Sequence, residues 1–211
     1  MMNDTKSVPP FSSAAASSAS EKSGKAASNA ELAPAVLHSD EQTGLLVTEY
    51  IDGASLNQFA IDDALIDRLL NLLARVHALD LKVPVLDYGV HIEKFWRLIE
   101  SRKKLNDTGL LNQRRAMRER VAEFAALTTS VGLCHHDPTR ANVVGKDSNL
   151  YLLDWEYAAR GPVAMDYAAL SVEWDIDSAE IVNRIALEPA LLELAKIIYR
   201  YVCQLWEEVR T

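Results

Sequence analysis

Residues 133–144, LCHHDPTRANVV, constrain this chain of 211 residues more than any other stretch. Two apolar ends, Leu133-Cys134 and Val143-Val144, read as strands. Between them His135, Asp137 and Asn142 stand at fixed offsets on one short loop. The segment NVVGKDSNLYLLDW that follows reads as a hairpin turning at residues 146–149, which carries the chain back to Asp154, twelve positions after Asn142. The fold must therefore hold a strand end, a polar loop and a hairpin end close together.

The remaining elements follow from periodicity. Residues 33–53 read as two short strands around a turn, the second over residues 45–51 and closed by Asp52-Gly53. Leu65, Leu69, Leu72, Leu73, Val76 and Leu79 recur at helical spacing behind Asp62 and Asp63. Residues 92–105 and 111–128 read as amphipathic helices, as do 164–174, 178–186 and 190–209. The order is α+β and mostly helical.

Residues 1–31 differ. The stretch 11–30 is nearly all Ser, Ala and Lys, with no Leu, Ile or Val and no aromatic after Phe11. Such composition buries too little apolar surface to offset ordering entropy, so a disordered tail is expected. It lacks the apolar core of a signal peptide and the arginines of a transit peptide. No run of apolar residues is long enough for a membrane helix, and a net charge of −8 argues against nucleic acid as a partner. Cys134 and Cys203 show no metal-ligand spacing and read as buried thiols in a reducing cytoplasm.

The pattern His135-x-Asp137-x-x-x-x-Asn142, with Asp154 beyond, is the layout of a kinase catalytic loop and its metal-binding aspartate. Phosphoryl transfer needs a carboxylate to take the proton of the attacking hydroxyl, the role that fits Asp137. It needs oxygen ligands for Mg2+ bridging the nucleotide phosphates, the role that fits Asn142 and Asp154. His135 is placed to brace the loop by bonding backbone carbonyls. The plainer alternative is turn chemistry at Asp137-Pro138 and Asn142, with Asp154 an acid at a hairpin end.

LCHHDPTRANVV, LYLLDWEYAARGPVAMDYAAL and GLLVTEYIDGASL resemble the aminoglycoside phosphotransferase and choline kinase superfamily, nearest its choline/ethanolamine kinase and bacterial thiamine kinase branch. The resemblance runs from about residue 33 to about 174. It implies a protein-kinase-like fold, with residues 32–52 as remnant N-lobe strands and hinge and residues 53–211 as the catalytic C-terminal lobe. It implies ATP and Mg2+ as cofactors, and a cytoplasmic enzyme phosphorylating a small molecule. Glu49, Tyr50 and Ile51 would form the hinge behind the adenine. Asp166 would support the catalytic loop. Trp155 and Glu156 stand where protein kinases have Phe-Gly.

The chain departs from that pattern before the hinge. Its eight glycines include no two within two positions of each other, and its only lysines there are Lys6, Lys22 and Lys25. No Gly-rich loop, strand lysine or helix glutamate to hold such a lysine is read. Three readings follow: an active small-molecule kinase, a pseudokinase that binds without turnover, or a truncated gene product lacking the nucleotide-clamping lobe. For the substrate, Trp155, Glu156, Glu173 and Trp174 suggest a cationic alcohol such as choline, ethanolamine or thiamine, with aminoglycosides second, since indole faces and carboxylates attract a cation. The alternative packs Trp174 in the core. His77 reads as a packed core histidine bonding a neighbouring loop, and His136 as a surface or substrate-side group.

Overall fold

The computed structural model describes residues 14–40, 43, 45–56, 60–102 and 108–210. In chain order these form α1 (Ala14–Asn29), β1 (Val36–Asp40), β2 (Leu45–Thr48), β3 (Ala54–Ser55), α2 (Asp63–His77), α3 (Tyr88–Arg102), α4 (Thr108–Leu127), β4 (Val131–Cys134), β5 (Val143–Lys146), β6 (Asn149–Leu152), β7 (Ala159–Pro162), α5 (Ala164–Trp174), α6 (Ser178–Val182) and α7 (Pro189–Arg210).

The helices form where the apolar spacing places them. Asp62 caps α2 by accepting from the Leu65 amide at 2.8 Å, and Leu65, Leu69, Leu72, Leu73 and Val76 are buried on one face. α7 lies along α5, α3 and α4. Its buried stripe of Leu191, Leu192, Ala195, Ile198 and Leu205 meets the small and apolar face of α5. Each Leu or Ile of this stripe removed from water contributes about 1.5–3 kcal/mol. Arg114 and Arg118 of α4 reach across to Glu93, and Arg114 also to Glu100, both on α3.

The strands build small antiparallel sheets. β5 and β6 form the expected hairpin, Val143 opposite Leu152 and Lys146 opposite Asn149, with β3 on its outer edge. β4 pairs with β7, Leu133 opposite Arg160 and Cys134 opposite Ala159. β1 and β2 pair as a separate two-stranded ribbon.

The Ser/Ala-rich segment is a correction. Residues 1–13 lie outside the described residues, but Ala14–Asn29 form a helix rather than a disordered tail. Ala has the highest intrinsic helix propensity, and small side chains allow close docking. Ala19, Ser23 and Ala27, four apart, make the buried stripe. Past the helix end, Leu32 is buried and its carbonyl accepts from the Leu152 amide of β6 at 2.8 Å. Arg75 of α2 bonds the Ala30 carbonyl at 2.8 Å. Within the helix Glu21 is bonded by Lys25, and Ser39 of β1 also bonds it, which lowers its pKa. No helix among the described residues is long and apolar enough to cross a membrane.

Candidate active site

β4 delivers the loop and α5 fixes it. Asp166 is fully buried in the first turn of α5. Its carboxylate accepts the backbone N–H of His135 at 2.9 Å and of His136 at 2.7 Å, and pairs with His77 Nε2 of α2 at 3.0 Å. Burial opposes its ionisation, but His77, the His136 ring and the backbone N–H outweigh that and hold the carboxyl at about 2. One carboxylate thus joins α2, α5 and the two residues that precede Asp137. His135 is fully buried and its Nε2 lies 2.9 Å from the Leu153 carbonyl, tying the loop to the strand that leads into Asp154.

Asp137 and Asn142 meet directly. A 3-10 turn over Arg140–Asn142 curls the loop, and Asn142 Nδ2 donates to Asp137 Oδ2 at 2.7 Å and to the Asp137 carbonyl at 3.0 Å. The Asn142 carbonyl in turn accepts from the Leu153 amide at 2.8 Å. Burial, followed by the charges of Asp154, Glu173 and Glu156, raises Asp137 to about 7 against the pull of Asn142. Asp154 is exposed and held at a φ of 57°, a backbone region in which a non-glycine residue signals a constrained position.

These groups suit a divalent cation. With Nδ2 committed to Asp137, the amide of Asn142 offers its other atom, Oδ1, as an oxygen ligand beside the Asp154 carboxylate, and hard cations take oxygen ligands. The mutual repulsion that raises Asp137 is what a bound cation would relieve.

The tryptophans are placed otherwise than expected. Trp174 is fully buried, donates from Nε1 to the Pro138 carbonyl at 2.8 Å and lies under the Arg140 guanidinium at 5.4 Å. It supports the catalytic loop from below and shows no face to a substrate. Trp155 is also buried, edge-on to His135 with ring centroids 4.8 Å apart. Gly24 of α1 covers it: a Cβ at Gly24 would already stand in contact, 3.8 Å from the indole. The acids remain at the site. The Glu156 carboxyl is partly enclosed, and this loss of solvation, then the charge of Asp154, raises its pKa. Glu173 accepts from the Tyr199 hydroxyl at 3.0 Å.

Residues of α7 complete this side; of these, sequence reading did not single out Tyr199, and it did not place Cys203 at the site. Burial, then the charges of Cys203, Glu173 and Asp137, raise the pKa of Tyr199. Burial pushes the Cys203 thiol up to about 11, so it stays protonated. Tyr157 bonds both Glu156 and Trp206. Tyr199, Cys203 and Trp206 lie at i, i+4 and i+7, a spacing that could have marked them as one helix face.

In the segment expected to form the hinge, the Glu49 N–H donates to the Ala35 carbonyl at 2.8 Å and the Ile51 carbonyl accepts from Gly53 at 2.8 Å. Tyr50 is 82% exposed, so its ring packs on nothing that would fix it.

Thiamine kinase of Escherichia coli O139:H28 is 40% identical over 76 residues, covering 36% of this chain and 24% of that protein. The chain thus aligns with about a quarter of the length of the curated relatives it matches. Choline kinase LicA from Streptococcus pneumoniae superposes with a TM-score of 0.81 at 21% identity, over 92% of this chain and 72% of that one. LicA in complex with AMP gives a TM-score of 0.74 at 22% identity, over 90% and 69%. The fold is therefore kinase-like, with a helical lobe, a catalytic hairpin and small sheets from a partial N-lobe. A family model described as Phosphotransferase enzyme family matches residues 9–196, and the chain belongs to that family.

Proposed function

We propose that this chain transfers the γ-phosphate of ATP to the hydroxyl of a small cationic alcohol, with Asp137 as base. The observation that carries the reading is the pairing of Asp137 with Asn142 at 2.7 Å, beside the charge of Asp154. Asp137 near 7 is poised to accept a hydroxyl proton at neutral pH. Asn142 aligns it and, with Asp154, would hold Mg2+. Bound Mg2+ supplies charge neutralisation for the phosphates. The Glu49 carbonyl and Ile51 amide would face the adenine, a reading supported by the AMP complex of the fold neighbour LicA. Dependence on ATP and two protonated thiols fit the cytoplasm.

Glu156, Glu173 and Tyr157 favour a cationic substrate such as choline, ethanolamine or thiamine, with the buried Tyr199 orienting Glu173. Carboxylates fix the charge and aromatic faces accept a cation that cannot donate hydrogen bonds. Trp155 and Trp174 leave this list because both are buried under other elements.

The test is release of ADP from Mg-ATP by the purified protein in the presence of choline, ethanolamine, thiamine or kanamycin. ADP release stimulated by one of the first three, and lost in Asp137→Ala and Asp154→Ala with folding retained, is expected. Stimulation by kanamycin alone, unaffected by Glu173→Gln, contradicts the substrate assignment.

A further inference from the structure

His136 precedes Asp137 with a φ of 66°, in the left-handed region that residues with a Cβ rarely occupy. Such backbone persists where its surroundings over-determine it. Three elements do so here. From α5, Asp166 Oδ1 accepts the His136 N–H at 2.7 Å. From the first turn of α3, the buried Tyr88 places its hydroxyl 2.9 Å from His136 Nδ1, the two rings edge-on at 5.9 Å. From β7, Gly161 leaves room for the ring: a Cβ there would fall 2.8 Å from His136 Cε1. Tyr88 and Gly161 are far apart in sequence, and both meet the same imidazole.

We propose that His136 is a positioning residue, whose imidazole, seated in a socket of Tyr88 and Gly161, and whose backbone N–H, held by Asp166, together fix the backbone that presents Asp137 to the substrate hydroxyl. The inference rests on the reading of Asp137 as base. Burial keeps the ring neutral, with a pKa of about 4, so Nδ1 accepts from the Tyr88 hydroxyl throughout the neutral range. Asp137 is tied to Asn142 on its far side. The socket fixes its near side, and misplacing a reacting group by a fraction of an ångström slows a reaction without weakening substrate binding.

The test compares Tyr88→Phe, which removes only the hydroxyl, Gly161→Ala, which fills the socket, and His136→Asn, whose side chain tolerates the left-handed backbone but cannot reach Tyr88. Hydrogen exchange of residues 135–142 is followed by mass spectrometry beside kcat, KM and Tm. Expected are exchange and kcat each changed about tenfold in all three, exchange faster and kcat lower, with KM unchanged. Tm should hold in Tyr88→Phe and His136→Asn. Unchanged exchange over 135–142 in Tyr88→Phe and Gly161→Ala overturns the proposal, as does a kcat that falls only in proportion to Tm. Absence of turnover in the wild-type protein would instead remove the phosphotransferase reading, and the exchange rates would still decide whether the socket holds the loop.

Discussion

Asp137 and Asn142 were legible in the sequence because a loop between two strand ends can bring residues five apart together with little help from the rest of the chain. Their bond at 2.7 Å is a local event. His136 was not legible, because its partner Tyr88 lies on another helix and the space for its ring depends on Gly161. Trp174 had two open readings, and only the packing of α5 under Pro138 decides for the buried one. At this scale the raised pKa of Asp137 carries a prediction about stability. Its folded-state value of about 7 lies above the ordinary 3.8, so its contribution is fully present below the ordinary value and is lost as pH rises through 7. Asp137→Asn should therefore be more stable than wild type at pH 8 in the presence of a chelator, and nearly equal to it below pH 4. Urea denaturation at the two pH values checks this. Added Mg2+ should narrow the gap at pH 8, since a cation favours the ionised carboxylate.

Among the elements, those with strong periodicity were readable and those defined by tertiary pairing were not. α2 and α7 carry apolar residues every three or four positions, and their observed bounds lie close to the expected ones. β7 contains Ala159, Arg160, Gly161 and Pro162, none a strong strand former, and it is extended because β4 pairs with it. α1 was missed for the opposite reason. Its composition suits disorder in isolation, yet its small residues fit closely against the segment carrying Trp155. A substitution tests whether that docking is real. Ala27→Asp would place a carboxylate where the native side chain is fully buried, at a cost of about 3 kcal/mol if the helix stays docked. The expected result is a lower urea midpoint, or loss of amide protection over residues 18–29 with the rest of the chain unchanged. Wild-type amides over 18–29 exchanging as fast as a free peptide would show that α1 does not dock.

The whole molecule separates a helical mass from a thinly covered ribbon. α5 and α7 pack into a continuous core around Trp96, Trp174 and Leu170, while on β1 and β2 Leu37, Leu45, Leu46 and Val47 are exposed. The sequence has no pair of closely spaced glycines to wrap phosphates, and Lys25 is engaged by Glu21 on its own helix. Affinity for Mg-ATP should therefore be weak, with a Kd of roughly 1 mM by calorimetry. A micromolar Kd would show that a phosphate clamp exists outside the elements described above. Weak nucleotide binding does not remove the proposed base, Asp137, or the proposed cation ligands, Asn142 and Asp154, which lie on the loop and hairpin. The most direct test of Asp137 as the base of a phosphotransferase is phosphorus NMR of the purified chain with millimolar Mg-ATP and a mixture of choline, ethanolamine and thiamine. A phosphomonoester resonance that grows with the wild-type protein and is absent with Asp137→Ala is the expected result; growth at the same rate with Asp137→Ala, or ADP formation with no phosphomonoester, contradicts it.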